Sequence, residues 1–233
     1  AINLKEVNQM ISVAKEKNFV LMEAMLPKFL PHYNKMLQLT YEDKFGSIRS
    51  VLINFGFRPK PPVAQRIYDP MLGGGTVMDI GICISFFAIS ILGKPDEINA
   101  EMTPSSTGVD EQCAVLFKYK DGSMAQLFST FSSNLPTEAT IAGSKGCIKL
   151  TNRFYEPSAT IEYFTETIKD KTIIQVEKSK GFGYHYEAQH VTECILNGVK
   201  ESNIMSFNDS ILLIETLDAI RKNAGINYPA DKL

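Results

Sequence analysis

Three turn signals between alternating apolar segments constrain the fold of this chain more than any other feature. The first is Asp121-Gly122, because Asp-Gly between two alternating segments is a strong signal for a tight β-hairpin. Gly143–Gly146 and Asp170-Lys171 mark two further turns of the same kind. Consecutive hairpins predict a mostly antiparallel sheet of roughly five or more strands. The paired segments are 112–119 with 124–131, 141–142 with 147–150, and 160–164 with 172–176.

The first 24 residues follow a different pattern, one that is typical of an α/β unit. Asn3 with Glu6 three positions later has the form of a capping box and predicts that a helix begins here. The apolar run Phe19–Met22 follows this helix, as expected for a strand buried on both faces of a parallel sheet. We therefore predict a domain boundary, with the last helix and strand of a doubly wound unit in residues 1–24 and a second domain in residues 25–233.

Helix signals surround the hairpins and place the chain in the α+β class. Gly73–Gly75 precedes an apolar segment that predicts a helix from Thr76 to Leu92, with Gly93 as its C-cap. We expect a large, mostly antiparallel open sheet with helices on one face. The other predicted elements are a helix from Pro27 to Leu39, a strand from Ile48 to Phe57, and helices at Tyr186–Asn197 and Asp209–Asn223, the last capped by Asn208 or Asp209.

The charge balance and hydropathy pattern exclude two classes of partner. The chain has 24 Lys and Arg against 26 Asp and Glu, a net charge of −2, which leaves no basic footprint for nucleic acid or an anionic membrane surface. The longest uncharged apolar stretch, Ile80–Leu92, is shorter than the about 20 residues that a membrane-spanning helix needs. It therefore predicts a buried helix, and the start of the chain has no signal-peptide pattern.

The cysteines favour a reducing compartment. Cys83, Cys113, Cys147 and Cys194 have no CxxC spacing and lie in apolar segments, a pattern that predicts reduced core thiols. With 3 histidines and no His/Cys cluster, the sequence predicts no metal site. We therefore expect a cytoplasmic protein.

Asp79 and the triple glycine are the first candidates for a functional site. Asp79 lies in an otherwise apolar helix, where a carboxylate is costly unless it pairs with a nearby Lys or Arg or lines a site and orients a proton-transfer group. Gly73–Gly75 is either a flexible loop or a segment that lets backbone approach a ligand closely. It is not a dinucleotide fingerprint, because the GxGxxG pattern is absent.

His185 is a third candidate, and it follows the glycine-containing segment Gly181–Gly183. A loop of this kind could close over a pocket and bring the imidazole to a ligand. His190 shares a helix face with Tyr186 and Cys194, which favours a structural role for it.

Several motifs, in order and spacing, resemble the Gfo/Idh/MocA oxidoreductase family, especially its dihydrodiol-dehydrogenase-like branch. The resemblance spans nearly the whole chain. The most specific motif runs Arg66-Ile-Tyr-Asp-Pro-Met-Leu-Gly-Gly-Gly-Thr-Val-Met-Asp-Ile-Gly81. The others are Val20-Leu-Met-Glu-Ala-Met-Leu-Pro-Lys-Phe-Leu-Pro31, Gly46-Ser-Ile-Arg-Ser50, Leu92-Gly-Lys-Pro95, Ala142-Gly-Ser-Lys-Gly146 and the segment from Ser210 to Arg221.

The resemblance implies an NAD- or NADP-dependent enzyme that oxidises a secondary alcohol of a sugar, polyol or cyclic diol. It identifies residues 1–24 as the tail of a Rossmann dinucleotide-binding domain and residues 25–233 as the substrate-binding and oligomerisation domain. The family's catalytic lysine, in a Glu-Lys-Pro motif, would lie immediately before Ala1. The 233-residue chain alone is then expected to be inactive. The family also implies a homodimer, or a higher oligomer, formed through the open sheet.

The resemblance also assigns roles to individual residues. Asp79 matches the carboxylate of the family's Gly-Gly-Gly…Asp-x-Gly motif, and Cys83 stands where the family usually has a catalytic Tyr or His. We predict that Cys83 is not the principal acid–base group, because a thiol is short and its usual pKa is about 8.5. The expected substrate-binding residues are Lys28, Arg66 and His185, and the expected cofactor-binding residues are Glu23, Gly74 and Gly75.

Two functions from other classes remain open at this level. A non-catalytic ligand sensor on the same fold would explain the loss of the Tyr or His at Cys83, because fold does not determine function. A purely structural oligomerisation domain would explain the sheet but neither Asp79 nor the glycines. Upstream sequence would discriminate them, because Glu-Lys-Pro and GxGxxG together favour the enzyme.

Overall fold

The computed structural model describes residues 1–176 and 181–232, which form an eight-stranded sheet covered by helices. The strand order is β2-β3-β4-β1-β5-β6-β7-β8. Only β1 and β4 pair in parallel among the described strands, so the sheet is mostly antiparallel as predicted. The strands are β1 (Ile48–Gly56), β2 (Glu97–Pro104), β3 (Asp110–Lys118), β4 (Met124–Thr130), β5 (Ala139–Gly143), β6 (Cys147–Thr151), β7 (Thr160–Phe164) and β8 (Thr172–Ile174).

The helices cover one face of this sheet, which confirms the α+β class. α4 packs against β1 and β4, α6 against β2, and α2 against β6 and β7. Strand β1 shows the consequence, because Val51 and Ile53 are fully buried whereas Leu52 between them is 42 % exposed on the other face. The helices are α1 (Leu4–Glu16), α2 (Pro31–Thr40), α3 (Val63–Ile67), α4 (Ile82–Leu92), α5 (Tyr184–Leu196) and α6 (Phe207–Ala224).

All three predicted hairpins are present. Lys118 pairs with Met124 around Asp121-Gly122, and Gly122 adopts the positive φ of 83° that the turn requires. The strand predicted at 48–57 is β1. The helix predicted to begin at Thr76 is two elements, a π-helical turn at Val77–Gly81 followed by α4. The helix predicted from Pro27 is also divided, into a 3₁₀ turn at Leu26–Phe29 and α2.

The strand predicted at Phe19–Met22 is wrong. Leu21 makes an isolated parallel bridge with Glu201, and no strand forms around it within the described residues. Phe19 is 65 % exposed, which is the opposite of burial on both faces. An apolar run becomes a strand only where neighbouring strands satisfy its backbone, and one bridge does not supply that.

Three local features differ from what the sequence predicted. The cap of α6 is Ser206, two residues before Asn208, the nearer of the two predicted caps, and it forms a reciprocal capping box with Asp209. At α1 the Asn3 side chain caps the helix as predicted, but Glu6 accepts from the N–H of Ile2 instead of completing the box. Strand β2 was missed although Ile98, Ala100 and Met102 alternate with polar residues along it; it is an edge strand in which only Ala100 is buried.

The helical stretch Pro70–Leu92 is 23 residues long with a mean hydropathy of 2.0, enough by length and composition to cross a membrane. The rest of the protein buries 67 % of its most apolar window. A core helix passes the same test, so this stretch alone is weak support for a membrane span.

Candidate active site

A buried carboxylate holds the loop that leads into the π-helical turn and α4. Asp110 is fully buried, and its Oδ2 accepts from the Thr76 hydroxyl at 2.6 Å and from the Val77 N–H at 2.8 Å. Burial raises the pKa of Asp110 to about 6, and these hydrogen bonds act against that shift. Gly75 has a φ of +106°, and a Cβ built there would lie 2.1 Å from Asp110 Oδ1. The contact therefore requires glycine at this position.

Gly74 is also held by the protein's own backbone. Its N–H donates to the Asp69 carbonyl at 2.9 Å, and a Cβ there would lie 2.7 Å from the Ile67 carbonyl oxygen. Its carbonyl accepts from the Tyr228 hydroxyl at 2.5 Å. These contacts explain Gly74 and Gly75 without a ligand, and their predicted role in cofactor binding stays a prediction.

The structure brings the predicted residues Asp79 and Arg66 together. Arg66 Nη2 donates to Asp79 Oδ1 at 2.5 Å, with the Asp79 side chain 20 % exposed and that of Arg66 56 % exposed. The interpretation in which Asp79 pairs with a basic group is therefore confirmed. An ion pair this exposed contributes only about 0–1 kcal/mol to stability, so it does not by itself account for a carboxylate in this helix.

Gly81 closes the π-helical turn, an element that is frequent at functional sites. A Cβ at Gly81 would lie 3.1 Å from the Thr76 carbonyl oxygen and 3.7 Å from Ser129 Oγ. Close packing inside the turn thus explains a glycine that would otherwise weaken a helix.

Cys83 lies one turn after Asp79, on the same side of the helical segment. Burial raises the pKa of the Cys83 thiol to about 12, with further contributions from Asp79 and Glu23. The thiol is therefore protonated at neutral pH and is a poor proton acceptor. That Cys83 is not the main acid–base group stays a prediction, and the raised pKa is consistent with it.

Glu23 approaches the site from the segment before α2. Burial raises the pKa of Glu23, and a hydrogen bond from Ser210 partly offsets this shift. The carboxyl group lies at a cavity of about 130 Å³ that Ser210, Ala1 and Ile82 also line. The other lining residues are mostly apolar: Val7, Met10, Ile11, Leu21, Met22, Met205, Phe207, Leu213, Ile214 and Leu217.

Lys28 and His185 have different surroundings. Lys28 Nζ forms an ion pair with Asp209 Oδ2 at 2.9 Å and lies 5.7 Å from the ring centroid of Phe86, which is one turn beyond Cys83. Lys28 therefore lies beside α4. His185 is exposed on α5, where its ring contacts Tyr186 at 4.2 Å. Within residues 1–176 and 181–232, no contact connects His185 with Asp79 or Cys83, and its predicted substrate role stays a prediction.

Sequence reasoning missed Asp110, which holds the loop of this site, and Tyr155, which lies close enough to Cys83 for the two groups to affect each other's charge. Asp110 opens a strand that reads as an ordinary hairpin strand, and its partner Thr76 is 34 residues away. Tyr155 follows β6, and its ring stacks on Phe55 with centroids 4.6 Å apart. No local sequence signal connects either residue with α4. Among the described residues, no group of three or more His, Cys, Asp and Glu side chains could hold a metal ion.

Comparison with known proteins gives the family. The family model described as GFO/IDH/MocA C-terminal domain matches residues 33–149. The chain is 33 % identical to trans-1,2-dihydrobenzene-1,2-diol dehydrogenase of Xenopus tropicalis, over 98 % of this chain and 70 % of that protein. It is 35 % identical to the Danio rerio protein of the same name, over 99 % of this chain and 70 % of that protein. The chain therefore belongs to the GFO/IDH/MocA family, and the resemblance inferred from its motifs is confirmed.

Solved structures support the same fold. The 3-ketoreductase KijD10 of Actinomadura kijaniata, in complex with NADP and TDP-benzene, superposes with a TM-score of 0.85 at 21 % identity, covering 96 % of this chain and 68 % of that one. The aldose-aldose oxidoreductase of Caulobacter crescentus, complexed with glycerol, superposes with a TM-score of 0.84 at 21 % identity, covering 97 % and 68 %. At this identity the likeness establishes the fold alone.

Proposed function

We propose that this chain is the substrate-binding part of an NAD(P)-dependent oxidoreductase acting on a secondary alcohol of a sugar, polyol or cyclic diol. The observation that carries the proposal is the similarity over 98 % of the chain to trans-1,2-dihydrobenzene-1,2-diol dehydrogenases. The carboxyl groups of Asp79 and Glu23 both lie close enough to Cys83 to affect its pKa. Carboxyl groups that converge in this way are consistent with a site that binds the hydroxyl groups of a substrate. In this proposal residues 1–24 belong to the dinucleotide-binding domain and residues 25–233 form the substrate domain.

Part of the site fits the nicotinamide end of NAD or NADP. Glu23 offers a carboxyl group at the edge of an otherwise mostly apolar cavity, a combination that suits a flat ring with a polar amide. The glycine loop does not offer a phosphate cradle, because the space beside Gly74 and Gly75 is filled by the protein itself. The bound cofactor would supply hydride acceptance or donation. The negative charge of Asp79 would influence proton transfer at the reacting oxygen. Lys28 and Arg66 would bind substrate hydroxyls.

The direct test is oxidation of trans-1,2-dihydrobenzene-1,2-diol, with glucose as a second substrate, by the protein that carries this chain. We expect NADPH or NADH to form, followed by absorbance at the nicotinamide band, with one of the two cofactors preferred. Absence of turnover with both substrates and both cofactors, in protein shown to bind the cofactor, would contradict the proposal.

The isolated 233-residue chain is expected to bind NADH and NADPH only weakly. Tight binding of a dinucleotide depends on a glycine turn and helix N-terminus that hold the pyrophosphate, and these 233 residues contain no GxGxxG. Calorimetric titration of the chain with each nucleotide measures this. Binding at one site with a micromolar dissociation constant would show the prediction to be wrong.

A non-catalytic sensor on the same fold is the second candidate function. The observation in its favour is Cys83, a protonated and partly buried thiol where the family usually has Tyr or His. A sensor would bind a diol or sugar without turnover. Ligand binding that persists in cofactor-saturated protein with no hydride transfer would favour it over the enzyme.

We also propose that the protein is at least a dimer through the uncovered face of its sheet. Leu52 is 42 % exposed and Met124 40 % exposed on this face, where a shallow depression is lined by Leu116, Phe128 and Leu135 among other residues. Contiguous exposed apolar surface marks contact sites. A homodimer would cover it on both copies.

Sedimentation at tens of micromolar is expected to give a dimer or larger species. Leu116→Lys is expected to shift the protein to monomer, because it adds a charge to the proposed interface. Leu196→Lys, at the end of helix α5 where Leu196 is 79 % exposed, is the matched control away from the sheet and is expected to leave the dimer intact. A monomeric parent protein at this concentration would contradict the proposal.

A cytoplasmic location is part of the same proposal. All four cysteines are unpaired in the structure, as suits a reducing compartment. Fractionation of cells that express the native protein, with immunodetection, tests it. Recovery from a membrane or secreted fraction would contradict it.

A further inference from the structure

We propose that the phenol of Tyr155 donates the hydrogen bond to the reacting oxygen of the substrate that Cys83 is too short to supply. This inference rests on the proposed function and names a specific residue for it. Tyr155 thereby takes over a contact that helix α4 does not make in this chain.

Aromatic packing fixes the ring of Tyr155. The ring stacks on Phe55 with centroids 4.6 Å apart and an interplanar angle of 16°. Its neighbour Phe154 meets it edge-on at 5.9 Å. Phe154 is fully buried, and its carbonyl is bonded to His32 Nε2 at 2.8 Å. The backbone that carries Tyr155 is therefore anchored, as positioning of a substrate contact requires.

The same packing brings Tyr155 toward the face of α4 that carries Cys83. The Phe154 ring packs edge-on against Phe87, with centroids 5.3 Å apart. Phe87 is four residues after Cys83, so the two side chains lie one above the other on α4. Cys83 is also close enough to Tyr155 to contribute to its raised pKa.

Tyr33, the other tyrosine close to Cys83, is not available for a substrate. Its side chain is fully buried, and its hydroxyl is bonded to Ser90 Oγ. Its ring is enclosed by Phe86 and Phe87. Tyr155, in contrast, is only partly buried and lines an open cleft of about 740 Å³.

The cleft has the polarity that a polyhydroxylated molecule needs. It lies where β1 ends at Gly56, beside the start of β5, and it combines the aromatic wall of Phe55 and Tyr155 with amide, carboxylate and guanidinium groups. Sugars and cyclic diols present both apolar and hydroxyl-bearing faces, which match this combination. The polar lining residues are Asn134, Thr137, Glu138, Asn152, Arg153 and Ser158.

The chemistry of the phenol suits a donor. Burial raises the pKa of Tyr155 to about 12; Arg153 lowers it, whereas Cys83, the charge of Glu156 and a hydrogen bond to the Glu156 side chain raise it. A bound substrate oxygen would replace the partly exposed Glu156 carboxylate as the acceptor of this hydrogen bond. The hydroxyl therefore keeps its proton through the physiological range and loses none in the reaction. A donor of this kind strengthens its hydrogen bond as the substrate oxygen gains negative charge, and loss of one such donor costs about 100-fold or more in kcat.

The test compares Tyr155→Phe with Tyr155→Leu in the protein that carries this chain. Phenylalanine keeps the stack on Phe55 and removes only the hydroxyl, whereas leucine removes both. We expect Tyr155→Phe to lower kcat about 100-fold with a change in KM below about fivefold. Tyr41→Phe, at a residue 68 % exposed on the surface, is the matched control and is expected to change neither. Unchanged kcat in Tyr155→Phe, with a loss confined to Tyr155→Leu, would overturn the inference and leave a packing role.

A binding measurement separates this inference from the proposed function. Titration of the protein that carries this chain with trans-1,2-cyclohexanediol, followed by NMR, is expected to show binding that weakens about two- to fivefold in Tyr155→Phe. Binding that depends on Tyr155, without turnover, would retain the inference and overturn the proposed oxidoreductase function. Turnover that is unchanged in Tyr155→Phe would retain the oxidoreductase function and overturn the inference. Absence of both binding and turnover would overturn both.

Discussion

Replacing Asp79 by asparagine is expected to lower kcat/KM about 100-fold in the protein that carries this chain, or about 2.7 kcal/mol of transition-state stabilisation. Asparagine has the same shape, so the substitution removes charge at a position one helical turn from Cys83. A fixed negative charge beside the reacting oxygen alters proton transfer there, and such effects are commonly worth two or more orders of magnitude. Cys83→Ala is expected to cost less than about tenfold, because the thiol holds its proton at neutral pH.

The controls separate catalysis from folding. The Asp79–Arg66 pair is exposed on its arginine side, so its loss is expected to lower the melting temperature by only a few degrees. Arg66→Gln removes the same ion pair and keeps the carboxylate, and it is expected to lose less activity than Asp79→Asn. Kinetics across pH for the three variants and the parent measure these differences. Loss of turnover in Cys83→Ala with Asp79→Asn unaffected would reverse the roles.

The parts of the fold that could be predicted are those determined by neighbours along the chain. Asp121-Gly122 is a hairpin because two adjacent residues can adopt the turn conformation, and β3 and β4 follow from it. Gly93 ends α4 for a similarly local reason. Strand β2 was missed although it pairs with β3, the next strand along the chain. The strand predicted at Phe19–Met22 was wrong because a strand depends on partners that a local pattern does not show, and Leu21 has a single bridge to Glu201.

The candidate site divides in the same way. Asp79 and Cys83 could be placed together because a spacing of four in a helix puts side chains on one side. The position of Arg66 opposite Asp79 follows from how α3 and its loop fold back, which no local pattern encodes. Tyr155 lies after β6, more than 70 residues from Cys83, and its position depends on the edge-on packing of Phe154 against Phe55 and Phe87. Composition and periodicity do not predict contacts between residues so far apart in the sequence.

Replacing Gly75 by alanine is expected to destabilise the protein by about 3–5 kcal/mol, the largest stability effect we predict for a single methyl group. The φ of +106° is strained for any residue with a Cβ, and that Cβ would lie 2.1 Å from Asp110 Oδ1. Asp110 cannot move away cheaply, because it is fully buried and holds the Thr76 hydroxyl and the Val77 N–H. For a chain of this length the loss corresponds to a fall in melting temperature of roughly 10 °C.

Gly108→Ala is the matched control, because it separates backbone strain from the clash. Gly108 has a φ of +88°, and a Cβ there would meet nothing within 4 Å, so only the backbone term of about 1–2 kcal/mol applies. Thermal and urea denaturation of both variants give the difference, which measures how firmly Asp110 holds the loop. An equal loss of unfolding free energy in the two variants would mean that the loop at Gly75 can move away from Asp110 at no cost. A large difference would mean that the buried carboxylate fixes the start of the π-helical turn, and with it the position of Asp79.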